Sequence, residues 1–427
     1  MIKLRKLCSY PRFFLRNRIV VLVLLAALVL AASPAAAVDF DVKDTKVTVG
    51  GYLKLMMIYD TDGYIDSKAH PFNGDLMGGY DPPLDGTAIS NSDGRMEAEG
   101  DKFRMTARES RLFVKTKTQS ESGVLQTHFE GDFYGGSTNS TDTWSNSEAL
   151  RLRHAYGSLT RGSHELLAGQ TWSTFMDLAA GVPDMDIAGD PGFTFVRQAQ
   201  VRYQYNLRPG HYIAAAIENP DRGLTAAGPP FFTNAGVSKE AWPDFVLKYF
   251  YANKMLTLSP RLLVRQFDLT NTTTDQSDTA MAWGAALSSS IKAGSKVKFY
   301  VTLMYGDGVG RYGGLGNIGG AGLTADDKVQ TVGFKSVNGG LTVKLSETVN
   351  WTIGAGWAEN DDDQYTGSDA VLTGSATKTA QGYHTNVKWA ITPAFEWAIG
   401  AAKYEREVMD GRDGDMIRYQ SYFKYDF

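Results

Sequence analysis

Past Val38 the chain keeps alternating between apolar residues and polar or small ones with a period of two. In Trp351-Thr-Ile-Gly-Ala-Gly-Trp357 one face carries Trp351, Ile353, Ala355 and Trp357, and the other Thr352, Gly354 and Gly356. Val297, Phe299, Val301, Leu303 and Tyr305 share a face opposite Lys296, Lys298, Tyr300 and Thr302. Phe395, Trp397 and Ile399 face away from Glu396, Ala398 and Gly400. Such alternation belongs to strands, because successive side chains of an extended backbone point to opposite sides. No stretch of about twelve residues or more shows a convincing helical period. The predicted fold class is all-β.

A soluble sandwich and an outer-membrane barrel both alternate in this way. The sandwich turns its polar face to water, whereas the barrel turns its apolar face to lipid and its polar or small face to a lumen. Connection lengths separate the two. Glu121-Ser-Gly, Arg161-Gly-Ser, Arg208-Pro-Gly, Ala293-Gly-Ser, Ser346-Glu-Thr and Thr392-Pro-Ala are tight turns. Between them lie Gly/Asn/Asp/Ser/Thr-rich stretches at 60–102, 136–149, 180–195, 220–243, 270–279, 306–327 and 359–380. Short turns alternating with long loops are the asymmetry of a transmembrane barrel, turns periplasmic and loops extracellular. Counting between them predicts a 16-stranded antiparallel transmembrane β-barrel, from Lys46–Tyr59 to Asp415–Phe427. Each strand with its connection then takes about 24 residues; a plugged 22-stranded transporter would need a longer chain and an 8-stranded barrel a shorter one. The chain closes on Tyr419, Ser421, Phe423, Tyr425 and Phe427. This resembles the aromatic terminal strand by which barrels are recognised for assembly, with Tyr425 and Phe427 as the candidate signal.

The N-terminus fits export to that membrane. Lys3, Arg5, Lys6, Arg12, Arg16 and Arg18 precede an apolar run from Ile19 to Ala32, which is short for a spanning helix. Ser33-Pro34 ends the run, and Ala35-Ala36-Ala37 offers a small-residue cleavage site. Residues 1–37 read as a signal peptide and 38–427 as one barrel domain. With the leader removed, 37 basic residues face 47 acidic ones, a net charge of −10. That balance argues against a nucleic-acid partner. Cys8, the only cysteine, lies in the leader ahead of the apolar run. No thiol remains for a disulfide, a thiolate metal site or a cysteine nucleophile. A mean hydropathy of −0.25 excludes a bundle of transmembrane helices.

Motifs for chemistry fail on inspection. Gly308-Val-Gly310-Arg-Tyr-Gly313 has dinucleotide-loop spacing, but the glycine-rich run after it cannot sustain the helix that a pyrophosphate needs, so a flexible external loop is expected. His164-Glu165 begins a zinc-protease pattern that Ala168 breaks. His70, His128, His154, His211 and His384 form no ligand spacing. Asp60-Thr-Asp62 and Asp361-Asp-Asp363 could bind calcium weakly, but they lack EF-hand spacing, and solvated loop carboxylates are the expected reading. The 60–102 loop holds ten acidic residues against Lys68, Arg95 and Lys102. Neither a cofactor nor a metal is called for.

Arginines carry the functional signal. Leu112 and Val114 claim the outer face and turn Arg111 inward, and Arg151 and Arg153 alternate with Leu150 and Leu152. Arg197 follows the 180–195 connection, the candidate constriction loop, which supplies Asp184, Asp186 and Asp190. Folded inside, those carboxylates would oppose the arginines across a narrow passage and set up a transverse field. The alternative is that the arginines pair with Glu109, Glu130 or Asp132 as salt bridges of the wall.

These same stretches carry a resemblance. Leu150-Arg-Leu-Arg-His-Ala-Tyr-Gly-Ser158, Leu167-Ala-Gly-Gln-Thr-Trp-Ser-Thr-Phe-Met-Asp177 and Phe195-Val-Arg-Gln-Ala-Gln-Val-Arg-Tyr203 are similar to the DcaP-like family of outer-membrane porins. Ala107-Arg-Glu-Ser-Arg111, Glu130-Gly-Asp-Phe-Tyr-Gly135 and Pro83-Leu-Asp-Gly86 fit the same family, and the likeness is densest from 103 to 205. It implies a homotrimeric, 16-stranded diffusion channel for small organic anions such as dicarboxylates in a Gram-negative outer membrane. Arg111, Arg153 and Arg197 match the basic eyelet positions of general trimeric porins by local context. Family members often carry a periplasmic coiled coil, whereas here the first strand is expected about ten residues past the cleavage site. Trimer formation would then rest on the barrel walls. Expected partners are small anionic solutes, outer-membrane lipid and lipopolysaccharide, and the barrel-assembly machinery. A barrel hydrolase acting on lipids would need a Ser/His/carboxylate set on the outer wall, and none stands out. A structural or adhesive barrel with a closed lumen is the third reading.

Overall fold

The structure, a computed structural model, describes residues 37–64, 89–90, 96–97, 99–135, 149–185, 190–220, 232–314, 320–366 and 369–427. Sixteen antiparallel strands form one closed barrel. They are β1 Thr45–Tyr64, β2 Glu99–Thr106 continued by Arg111–Ser120, β3 Gly123–Asp132, β4 Arg151–Arg161, β5 His164–Trp172 and β6 Arg197–Arg208. Then come β7 His211–Glu218, β8 Asp244–Ala252, β9 Leu256–Asn271, β10 Gln276–Ala293 and β11 Val297–Asp307. The last five are β12 Gly333–Lys344, β13 Val349–Asn360, β14 Thr377–Thr392, β15 Phe395–Val408 and β16 Asp413–Asp426. Each strand pairs with its neighbours in the chain, and β1 closes the ring on β16, from Tyr52 opposite Asp426 to Thr61 opposite Ile417. Gly51 and Phe427 exchange backbone hydrogen bonds at 2.9 and 3.1 Å at the end of that seam. Closure leaves no row of unpaired backbone groups, which lipid would not tolerate. Among the described residues no helix is long and apolar enough to cross a membrane.

The alternation decides which face meets lipid. On β13 Trp351, Ile353 and Ala355 are exposed while Thr352, Gly354 and Gly356 are buried, and β11 repeats the pattern with Phe299, Val301, Leu303 and Tyr305 outward. Aromatic side chains mark both rims. Trp389, Trp397 and Phe423 cluster near the Thr392-Pro-Ala turn, and Trp283 packs against Tyr305 near the opposite end, 5.7 Å between rings. Such girdles bound the apolar band of a transmembrane barrel.

Two irregularities re-aim side chains into the lumen. β2 breaks at Ala107–Ser110, where Glu109 and Ser110 are buried. In β4 the register slips by one, Glu130 facing His154 and Gly131 facing Leu152, so Arg153 is an inserted residue. A bulge lets consecutive residues share a side, and Arg153 and His154 are both buried.

Several expectations change. β1 runs on to Tyr64, so Asp60 is a buried wall residue held by Arg418 at 2.6 Å and Arg104 at 3.0 Å, not a solvated loop carboxylate. The stretch 270–279 is mostly strand, since β9 ends at Asn271 and β10 begins at Gln276. A short strand, Val38–Val42, folds back on the start of β1. The glycine-rich connection after β11 is packed where it is described: Gly310–Gly313 form a 3₁₀ turn whose Tyr312 is fully buried. Residues 1–36 of the expected 1–37 leader, Asp186, and most of the acidic 60–102 stretch lie outside the described residues.

Placing a charge on the lipid face tests this orientation. Leu303→Arg should lower stability in liposomes by about 2–4 kcal/mol, read by denaturant titration, and a neutral result would place Leu303 away from lipid.

Candidate functional site

The connection between β5 and β6 folds into the barrel. At its root Glu218 accepts hydrogen bonds from the Ser173 hydroxyl at 2.7 Å, the Thr174 N–H at 2.6 Å and the Gln198 side-chain amide. Basic side chains of the wall then cap its backbone carbonyls. Arg261 reaches Phe175 O at 2.7 Å, Lys248 reaches Met176 O at 2.9 Å, Lys298 reaches Ala179 O at 3.2 Å and Lys388 reaches Asp184 O at 2.9 Å. Phe175 packs edge-on against Tyr312 at 5.6 Å, and Met185 joins Met56, Ile58, Ala398 and Tyr422. The wall beneath is cut back to glycine: a Cβ on Gly354 would lie 2.8 Å from Val182, and one on Gly356 2.4 Å from the Pro191 carbonyl. The loop thus lies along the β7–β16 arc. A cavity of about 200 Å³ near its root is lined by Trp172, Thr174, Arg202, Tyr212 and Lys248, among others.

The arginines occupy the other arc, on β2, β4 and β6. Arg151 makes a bidentate pair with Asp132 at 2.9 and 2.7 Å. Arg153 bridges Glu130 at 2.7 Å and Asp132 at 2.8 Å. Arg111 lies 3.5 Å from the same Glu130 oxygen and over the ring of Tyr52. Arg197 stacks on Trp172 at 4.4 Å, a ring it shares with Arg153 at 5.7 Å. One Arg197 nitrogen is buried with no hydrogen-bond partner. The four arginines are therefore contiguous, and their ion pairs among the described residues go to two carboxylates, Glu130 and Asp132. Glu109 is taken by Lys54 at 2.6 Å.

Asp184 and Asp190 lie apart from that cluster. Both approach His384 of β14, Asp190 at 2.8 Å and Asp184 at 3.8 Å. Burial pushes the Asp190 carboxyl above the usual carboxylate range, and the adjacent His384 ring acts in the opposite sense. In the connection after β11, burial and the carboxylates of Glu218 and Asp244 raise the Tyr312 hydroxyl well above its ordinary value. Asp361, Asp362 and Asp363 are exposed, with Lys378 on Asp362 at 2.8 Å. Tyr425 is on the outer face beside the β1–β16 seam, where it pairs with Leu53.

Sequence reasoning passed over Lys54, Lys248, Arg261, Arg265, Lys388 and Glu218, and set His384 aside for want of ligand spacing. The signal for some was the one that singled out Arg151: Arg261 and Arg265 alternate with exposed Leu262 and Val264. Nothing local marks Glu218 as the anchor of a loop that starts 45 residues earlier.

Closed barrel, inward loop and charged lumen together define an outer-membrane protein of the porin fold. The chain belongs to the DcaP outer membrane protein family, whose profile matches residues 30–427. Among solved structures it is similar to the outer membrane channel DcaP of Acinetobacter baumannii, with a TM-score of 0.70 at 22% identity over 92% of this chain and 100% of that one. An anion-selective porin from Comamonas acidovorans gives 0.56 at 10% identity over 90% and 100%. OmpF of Salmonella typhi, in complex with daunomycin, gives 0.53 at 11% over 91% and 100%. Likeness at these identities concerns the fold. No curated protein matches the chain.

Glu218 should control the loop's root. In Glu218→Gln an amide replaces one of the two acceptor oxygens, weakening the anchor by about 2 kcal/mol. Limited proteolysis between positions 173 and 196 should then be about tenfold faster or more in a variant that still forms the barrel; unchanged cleavage would show that the loop is held elsewhere.

Proposed function

We propose that this protein is a passive outer-membrane channel, without catalytic chemistry, that favours small organic anions such as dicarboxylates. The observation that carries the reading is a contiguous group of four arginines: among the described residues Arg111, Arg151 and Arg153 share only Glu130 and Asp132 as ion-pair partners, and Arg197 joins them through the Trp172 ring without an ion pair. Guanidinium groups stay charged at any physiological pH, so the patch keeps a surplus of positive charge. An anionic solute about 4 Å from one of them gains about 4 kcal/mol at an effective dielectric near 20, offset by its own desolvation. The connection between β5 and β6, the third loop, narrows the lumen from the opposite arc, and Glu130 and Asp132 fix the arginine forks in place. Arg197, only partly buried and without an ion pair among the described residues, is the group best placed to meet a carboxylate of the solute. A planar, two-pronged donor suits such a group.

The fold supports a homotrimer associated through the barrel walls. One solved structure of similar fold, OmpT of Vibrio cholerae, is described in trimer form. Residues 1–37 as a cleaved leader, Tyr425 and Phe427 as an assembly signal, and lipopolysaccharide as an outer-leaflet neighbour belong to the same proposal.

Solute flux tests it. Proteoliposomes should pass a four-carbon dicarboxylate faster than a neutral solute of similar size. Replacing Arg111, Arg153 and Arg197 together by Ser should reduce that preference by about tenfold, equivalent to about 1.4 kcal/mol, while neutral flux persists. Equal preference before and after would remove the arginines from selectivity, and no flux of either solute would favour a closed barrel.

A further inference from the structure

We propose that Asp184, Asp190 and His384 bind one divalent cation of the zinc class, which staples the third loop to the barrel wall. The loop supplies both carboxylates and β14 the imidazole, residues that only the inward fold of the loop brings together. One donor atom from each side chain lies within 4.8 Å of the others. His384 Nδ1 stands 2.8 Å from Asp190 Oδ2 and 3.8 Å from Asp184 Oδ2. A tetrahedron built on zinc's bond lengths to nitrogen and oxygen has an edge of roughly 3.3 Å, so each of these two separations from Nδ1 needs to change by only about half an ångström. The three side chains are 2% (His384), 0% (Asp190) and 6% (Asp184) exposed.

The protein by itself leaves this group unfinished. One hydrogen bond joins Asp190 to His384, while Asp184 Oδ2 and Asp190 Oδ1 are buried with no donor. Carboxylate oxygens in that state are costly. The neighbouring donors are committed to backbone: Lys388 to Asp184 O at 2.9 Å and Asn386 to Pro183 O at 3.1 Å. A protonated imidazole would neutralise one of the two carboxylates, whereas a divalent ion neutralises both and occupies their free lone pairs. His384 Nε2 faces Gly354, so Nδ1 is the nitrogen presented to the acids.

The donor set selects the ion. One imidazole nitrogen and two carboxylates, with a fourth position for water, suit zinc. Calcium takes six to eight oxygens and magnesium keeps near-octahedral oxygen coordination, so neither matches this set. Because Asp184 and Asp190 lie on either side of positions 185–189, one ion would tie both flanks of that part of the loop to β14. The site stands whether or not the lumen conducts anions.

Zinc titration of the chelator-stripped, full-length chain in detergent tests the proposal by calorimetry. The expected result is one saturable site per chain, not displaced by tenfold excess calcium or magnesium. Asp190→Asn and His384→Gln should each weaken it at least tenfold, with the β-sheet circular dichroism retained, while Asp362→Asn leaves it unchanged. Zinc should also raise the unfolding temperature of the wild type but not of Asp190→Asn. Absence of saturable binding would overturn the proposal and leave the three residues an ion pair. So would binding undiminished in the two folded variants, or binding lost in Asp362→Asn instead.

Discussion

In hydrocarbon no water is available to satisfy a peptide N–H or C=O, so a membrane-spanning sheet has to close on itself. Here that requirement is met by β1 pairing with β16 along ten consecutive residue pairs, from Tyr52 to Thr61. Once the ring is shut, the two-residue period of a strand assigns alternate side chains to an enclosed lumen. The lumen then fills with polar residues that must find partners. Asp60 with Arg104 and Arg418, Asp244 with Arg265, and Lys54 with Glu109 are the result. Breaking any such pair leaves a charge poorly compensated, which is why they act as structure as well as electrostatics.

The third loop uses the same interior chemistry in another way. Arg261, Lys248, Lys298 and Lys388 donate hydrogen bonds to its backbone carbonyls between Phe175 and Asp184, so that part of the grip does not depend on the loop's side chains. Asp184 and Asp190 are consequently left to His384. On the arc the loop does not cover, the arginines outnumber their carboxylates. Net charge over the whole chain therefore says little about the passage: the negative balance is a global count, whereas the surplus beside Trp172 is local.

Strand identity and facing were legible wherever the alternation ran undisturbed, as in β11 and β13, because the period is a local property of extended backbone. The resemblance carried by residues 103–205 pointed to the family whose profile covers 30–427. What escaped was non-local or irregular. The bulge that turns both Arg153 and His154 inward follows from a register slip against β3, and no single-strand pattern reveals it. Asp60 resembled a loop residue because the signal that keeps it in a strand, Arg418, is 358 positions away. The 308–313 run resembled a loose loop because glycine suggests freedom, yet Tyr312 within it is buried against Phe175. His384 showed no ligand spacing because its neighbours arrive from a loop 194 residues earlier.

In the proposed channel the arginine cluster, rather than the chain's net negative charge, sets which ions pass. The zero-current reversal potential across a planar bilayer under a potassium chloride gradient measures this directly. A potential of the sign for chloride preference, moving toward zero or reversing when Arg111, Arg153 and Arg197 are neutralised, is the predicted result. Cation preference in the wild type, unchanged in that variant, would contradict it.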